Sequence, residues 1–380
     1  MSSGKDQVGV HDRLLHALAA YTCGVGAGEA SRVAEGCKAA VIDTLAVSLG
    51  ALAHPAAQAA RRYARHARLA NIGQGASIWG SGETVSAEVA ALVNGVPLRG
   101  YDYNDLYMGR SGGHPSDIIP GLIALAEARG LPGARVLDAT ALGYEVSIAF
   151  FDTFGLHARG WDYPVIVALG ATCACARLLG LDEARTREAI AITATIHFVS
   201  DEVESGELNA RGDLTMWKRF NGSNAARQGV QASLLAEAGV EGAVRPFEGA
   251  NAWLTKVEVR PEDLQALLGK LESGRFEGGV RDTVFKRWPV GSRAQSAIQA
   301  ALQARSSVAD VAGIQRVEVR CDEQAYHHFV ARRADPWHPV SRETADHSMP
   351  YVVAAAVLDG QVRDGSFDPA VVLQPERLAF

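Results

Sequence analysis

GEASRVAEGCKAAVIDTLAVSLGAL, from Gly28 to Leu52, is the stretch on which the fold turns. Val33, Cys37, Val41, Leu45 and Leu49 recur at helical spacing, and Glu29 and Glu35 sit early, where a helix dipole favours acids. The pattern predicts an amphipathic helix with those five side chains inward. Working outward, further helices follow. Ser116 and Asp117 suit the start of a helix that stops at Gly130. An apolar run from Val165 to Leu179 is closed by Gly180, and Asp182 opens DEARTREAIAITATI. Asn221 or Ser223 opens GSNAARQGVQASLLAEAG, closed by Gly239. Alanine dominates these segments, and small side chains let helices approach closely, so a compact bundle is expected.

The character changes near Gly278. SRAQSAIQAALQAR (292–305) and SMPYVVAAAVLDG (348–360) read as helices, whereas the alternating valines of IQRVEVRC (314–321) read as a strand. The expected class is mainly α. Residues 1–280 form a large all-helical domain and residues 281–380 a smaller α+β domain.

Composition narrows the function. The 380 residues are 48% hydrophobic and 21% charged, ordinary for a globular chain with a large core. A net charge of −6 argues against wholesale binding of nucleic acid or an acidic membrane. The five cysteines include no CxxC pair or zinc spacing, so no metal site is expected. No stretch of about eighteen apolar residues suggests a membrane span. The opening MSSGKDQVGVHD lacks the apolar core of a secretory signal, and a cytoplasmic location is expected.

Four polar clusters carry the chemistry. GYDYNDLYMGRSGGHPSD (100–117) crowds Asp102, Asp105 and His114 into one glycine-rich loop. His114 directly precedes a helix start, where free amides favour an anion, and an imidazole titrates near neutrality. RGDLTMWKRFNGSNAARQG (211–229) sets Lys218 and Arg219 just before another predicted start; on composition alone such a pair is an ordinary surface feature. VFKRWP (284–289) holds Lys286 and Arg287 near the domain boundary, and clefts between domains commonly bind ligands. WHPVSRETADHSMPY (337–351) holds His338, Arg342 and His347, with Thr344 or Asp346 readable as a helix cap. Two other motifs fail. Gly109–Gly113 fits G-x-S-x-G but follows no apolar strand, and no G-x-x-x-x-G-K-[ST] loop exists for a nucleotide.

DYND with HPSD, LGYE, GWDYP with ARLLGL, MWKRFNGSNAARQG, PFEG, FKRWP and ETADHSMPY occur in an order that resembles the MmgE/PrpD family, from about residue 30 to 360. The resemblance implies a helical domain with a lid, a homodimer, and a site between the two domains that uses neither metal nor organic cofactor. It implies a small polycarboxylate substrate and proton transfer at a carbon next to a carboxylate. Asp102, His114, Lys218 and Lys286 match the family's active-site motifs, and the expected catalytic set is His114, Asp102, Tyr163 and Lys218. Lys286, Arg287, Arg219 and Asp105 are expected to bind substrate. The leading expectation is a lyase of the 2-methylcitrate dehydratase type. A decarboxylase, an isomerase or epimerase, and a catalytically silent dimeric scaffold are the alternatives. Two departures stand out. Many relatives carry histidine where this chain has Tyr163, and relatives usually continue for several tens of residues beyond Phe380, so the lid is expected to be cut short.

Overall fold

The computed structural model describes residues 11–67, 75–204, 209–210 and 214–380. Most of the opening MSSGKDQVGVHD, and Arg211 to Asp213 of the second polar cluster, lie outside the described residues.

Among the described residues the structure is mainly helical, with only two two-residue hairpins, Ala76–Ser77 with Thr84–Val85 and Tyr107–Met108 with Gly112–Gly113. The longer helices are α1 (Arg13–Gly24), α2 (Ala34–Gly50), α3 (Pro55–Ala64), α4 (Ala87–Leu98), α5 (Ile119–Arg129), α6 (Gly133–Thr153), α7 (Pro164–Leu179), α8 (Glu183–Ile196), α9 (Trp217–Glu237), α10 (Pro261–Glu272), α11 (Gln295–Arg305) and α12 (Met349–Asp359). Local chemistry sets several ends. The Asp182 carboxylate accepts the Arg185 N–H to cap α8, and Gly130 and Gly180 close α5 and α7 in the left-handed conformation. Among the described residues, no single helix is long and apolar enough to cross a membrane.

Helix α2 turns a different face inward from the one its large apolar residues suggest. Cys37, Ala40, Thr44 and Ser48 are buried, Val41 and Leu45 are half-buried, and Ile42 and Leu49 are 66% and 51% exposed. The helix lies against α4 and α6, and small side chains allow that close approach. Helix α9 also begins earlier than its glycine and serine suggest, at Trp217, so Lys218 and Arg219 stand in its first turn. It packs on α4, α7 and α8 in the middle of the bundle.

The apolar cores are separate. One joins α1, α6, α7 and α10 through residues such as Leu18, Phe150, Ile166 and Leu267. A second gathers Trp288, Ile298, Phe329, Val352 and Phe367 around α11 and α12, and a third, smaller one packs Ala60, Ile78, Val93 and Val96 between α3 and α4. The strand expected at IQRVEVRC is not formed: residues 314–321 enter no ladder, and the α+β reading of the lid is corrected to helical. A strand needs a hydrogen-bonding neighbour, and the described residues offer this one none. One backbone bridge ties bundle to lid. Leu106 and Val284 exchange both N–H···O bonds, at 2.9 and 2.8 Å, which fixes the Asp102 loop beside the segment carrying Lys286.

Candidate active site

Helix α4 is buried on nearly all sides and ends at Arg99, after which the chain turns sharply. Asp102 sits in that turn at φ +47°, a backbone region that side-chain-bearing residues enter infrequently. Its carboxylate Oδ1 lies 3.2 Å from Arg99 Nη1 and 3.1 Å from Lys286 Nζ. Its Oδ2 lies 3.5 Å from His347 Nε2. Burial alone would raise this carboxyl, but the fields of Lys286, Arg99 and His347 outweigh it and hold it well below the usual range. Asp102 is therefore an anion that gathers three cation-type side chains, not a proton acceptor near neutral pH.

His114 follows the short hairpin and precedes the turn Pro115–Ile118. Its Nδ1 lies 2.5 Å from the Asp105 carbonyl oxygen, so that nitrogen carries the proton and Nε2 holds the lone pair. Burial, then Arg99 and Lys286, push the imidazole well below its ordinary value. The result is a neutral base. Asp105 holds this arrangement from behind: its carboxylate accepts from Tyr144 at 2.8 Å and from the Ser116 N–H at 3.2 Å. It does not line the cavity that His114 faces.

That cavity has a volume of about 580 Å³, well inside the range of small-molecule sites, and lies between the bundle and the lid. Arg99, Asp102, His114, Tyr163, Lys218, Lys286 and His347 line it. Lys218 Nζ stands 3.3 Å from His347 Nε2, and His347 Nδ1 pairs with the buried Asp346 carboxylate. Burial lowers Lys286, although Asp102 opposes the shift. Counting the rim, six arginines and lysines face four acidic side chains, so the cavity favours an anion.

Tyr163 directs its hydroxyl to Asp117 Oδ2 at 2.6 Å, and its ring meets His114 edge-on at 5.2 Å. Burial raises the phenol well above 10, which makes it a donor and not a base. Gly222 of α9 is required here, because a Cβ at that position would stand 1.9 Å from Asp117 Oδ2. At the cavity edge, His157, Asp162 and Asp201 bring ligand-type atoms within 4.8 Å of one another. Asn221 donates to Asp162 at 2.6 Å and Arg332 stands 3.6 Å from Asp201, so two of these three donors are already committed.

Six of the eight expected side chains are thus accounted for around His114: five on the cavity and Asp105 behind it. The other two face elsewhere. Arg219 is buried beneath the site, donates to the Arg99 carbonyl at 3.0 Å, and lines a neighbouring cavity of about 340 Å³ with Lys218, His54 and Glu343. Arg287 is exposed; its guanidinium bonds Gln299 at 3.2 Å and lies over Trp288, outside the main cavity. Sequence reasoning missed Arg99, and it left His347 as a capping neighbour. Thr344 does help cap the short turn Arg342–Ala345, but Ser348 caps α12, which frees His347 for the cavity. The Asp-His pair inside ETADHS was the available signal. Ser111 of the rejected hydrolase pattern bonds the Phe154 carbonyl and the Leu156 N–H, a structural role.

Comparison with known proteins gives these positions a context. Residues 16–262 match the MmgE/PrpD N-terminal domain, and residues 288–380 match the MmgE/PrpD C-terminal domain. The chain is 28% identical to cis-aconitate decarboxylase of Homo sapiens over 370 residues, covering 91% of this chain and 70% of that protein. It is 24% identical to 2-methylcitrate dehydratase of Cupriavidus necator over 356 residues, covering 88% and 69%. For 2-methylcitrate dehydratase of Escherichia coli (strain K12) the figures are 25% over 353 residues, 87% and 68%. The chain spans 68% to 70% of the length of these relatives. With both family domains matched along most of its length, the chain belongs to the MmgE/PrpD family.

Proposed function

We propose that the cavity is the active site of a lyase acting on a small hydroxylated di- or tricarboxylate, of the 2-methylcitrate dehydratase type. The observation that carries this reading is the neutral His114, fixed through Nδ1 by the Asp105 carbonyl, beside the cationic set Lys218, Lys286 and Arg99. His114 Nε2 takes the proton from a carbon next to a substrate carboxylate. The electron pair left behind spreads into that carboxylate, and the fixed cations stabilise the developing charge. The pair then forms a carbon–carbon double bond as the neighbouring hydroxyl departs, and the His114 imidazolium returns the proton so that water leaves. Asp102 holds Lys286, Arg99 and His347 in place. Every step uses side chains of this chain.

Loss of CO2 is the second reading, favoured by the 28% identity to a cis-aconitate decarboxylase, and it passes through the same carboxylate-stabilised charge. A homodimer belongs to the proposal as well. The test is a thermal-shift screen with citrate, 2-methylcitrate, cis-aconitate, itaconate and hydroxylated dicarboxylates, followed by assays of the stabilising acid for water loss, CO2 loss and deuterium uptake. Binding at a hundredfold excess over Kd stabilises the fold by about 2.7 kcal/mol, which is readily measured. Deuterium uptake without loss of water or CO2 would move the assignment to an epimerase. No shift with any of these acids would favour a silent scaffold.

A further inference from the structure

Asp346 and His347 lie between two helical segments, the short turn Arg342–Ala345 and α12, which Ser348 caps. Both side chains are buried. The imidazole stacks on Phe329, with ring centroids 5.7 Å apart and planes 9° from parallel. Gly291 leaves room along its edge, because a Cβ there would stand 3.2 Å from His347 Cδ2 and overlap the Phe329 ring. Packing of this kind holds the imidazole in one orientation.

That orientation aims the two ring nitrogens at different elements. Nδ1 pairs with Asp346 Oδ1, and Asp346 Oδ2 has no hydrogen-bond partner among the described residues. Nε2 lies 3.3 Å from Lys218 Nζ, in the first turn of α9, and 3.5 Å from Asp102 Oδ2. An ammonium can only donate, whereas an imidazole nitrogen accepts only when it carries no proton. Burial raises the Asp346 carboxyl to about 7, with Arg219 and Arg342 opposing the shift. Above that pH Asp346 is a carboxylate, Nδ1 carries the one proton of the neutral ring, and Nε2 is left to accept from Lys218. A second proton would make Nε2 a donor to Asp102 and set an imidazolium beside an ammonium, two like charges in a buried site. We propose that Asp346 and His347 are positioning residues: Asp346 fixes the ring tautomer, and Nε2 takes one Lys218 N–H so that the ammonium is held toward the substrate carboxylate. The assignment rests on the reaction proposed for the cavity. Lys218 comes from the bundle and His347 from the lid, so the ammonium takes its orientation where the two meet.

Two measurements on the full chain test it. In protein labelled with nitrogen-15 in its histidine rings, the His347 signals are identified by their loss in His347→Phe. At about pH 8, Nε2 is expected to be the deshielded, unprotonated nitrogen, and Lys218→Met is expected to shift its signal while Nδ1 keeps the proton. The second measurement is kinetic, with cis-aconitate or 2-methylcitrate, whichever the native chain turns over. His347→Phe keeps a stacked ring without the acceptor and is expected to lower kcat/KM roughly ten- to a hundredfold, the worth of a hydrogen bond to a charged group. In a Lys218→Met background the same change is expected to cost less than about twofold, because nothing is left to orient. Asp346→Asn keeps the histidine, offers an amide N–H to Nδ1, and is expected to move the proton to Nε2 with a similar loss. Melting curves confirm that each variant is folded. A residue that only supports the fold would cost the same with and without Lys218. That equality, a fully active Asp346→Asn, a proton on Nε2 of the native ring at that pH, or an Nε2 signal indifferent to Lys218→Met overturns the positioning role. If the native chain turns over neither acid, it is the reaction assigned to the cavity that fails, and the nitrogen signals still decide the contact.

Discussion

Lys286 meets Asp102 twice, donating to its backbone carbonyl at 2.7 Å and standing 3.1 Å from its carboxylate. Both contacts are buried, and together they link the segment leading into the lid to a residue held at positive φ. Replacement by methionine, of similar length, leaves the Asp102 carboxylate with Arg99 and His347 alone. Removing one partner of a buried pair typically costs about 3–5 kcal/mol, because a charge is left uncompensated. Lys286→Met is therefore expected to lower stability by an amount near the bottom of that range, since Arg99 remains, and to reduce turnover at least a hundredfold, on the order of 3 kcal/mol of lost transition-state stabilisation. Denaturant titration and a single-turnover assay measure the two effects. If stability falls but turnover is unchanged, Lys286 holds the loop and has no part in the chemistry.

The pH profile follows from the placement of His114. Burial and the charges of Arg99 and Lys286 lower its pKa, so the free base persists below the ordinary histidine value of about 6.5. The acid limb of kcat/KM, which reports the free enzyme, is thus expected below that pH. His114→Gln should abolish turnover while the melting temperature stays within a few degrees. An acid limb above about 6.5, or an active His114→Gln variant, would assign the proton transfer to a different group.

Tyr163 is expected to support the site by ordering Asp117. Its hydroxyl is the one hydrogen bond seen at Asp117 Oδ2, and Asp117 Oδ1 is buried without a partner among the described residues. Burial already raises the Asp117 carboxyl to about 6. Loss of the phenol in Tyr163→Phe removes a hydrogen bond that lowers it, so the carboxyl should rise further. An unsatisfied buried group costs about 1–3 kcal/mol, and that is the expected destabilisation. Turnover should fall less than in His114→Gln. A loss of turnover equal to that of His114→Gln would make Tyr163 a direct proton donor to substrate.

How much of this was legible in the sequence differs from residue to residue. Helices α5, α7 and α8 were readable because their ends carry local chemistry: glycine in the left-handed region, or an aspartate that accepts an N–H. The start of α9 carried no such mark, since Met216 makes no side-chain cap and tertiary packing sets the boundary. The inward face of α2 was misread because close helix packing favours alanine, threonine and serine over leucine. At the site, His114, Asp102 and Lys218 were visible through clustered motifs. Arg99 was not, because a single arginine after an apolar helix is unremarkable until the loop folds back on it. Arg287 shows the converse. It adjoins Lys286 in sequence, yet Lys286 is buried against Asp102 while Arg287 is exposed, against Gln299 and Trp288.

His197 gives a pH effect on stability that is separable from catalysis. It ends α8, is buried, and its Nε2 has no hydrogen-bond partner among the described residues. Burial, with a smaller contribution from Arg227, lowers it from 6.5 to about 4. Above about 6.5 the imidazole is neutral in both folded and unfolded chains, so it adds no slope. As the pH falls below that value the unfolded chain takes up a proton that the folded chain refuses, and stability is lost until the folded value is passed. Asp117 and Asp346, raised to about 6 and about 7, act in the opposite direction, because the folded chain binds their protons first. The contribution of His197 is therefore best read as a difference. Relative to His197→Gln, the native chain should hold a constant offset above pH 6.5 and lose roughly 3 kcal/mol between that pH and about 4. Denaturant titrations of both proteins at several pH values give the comparison. Parallel curves would mean that His197 takes up its proton in the folded state as readily as in the unfolded one.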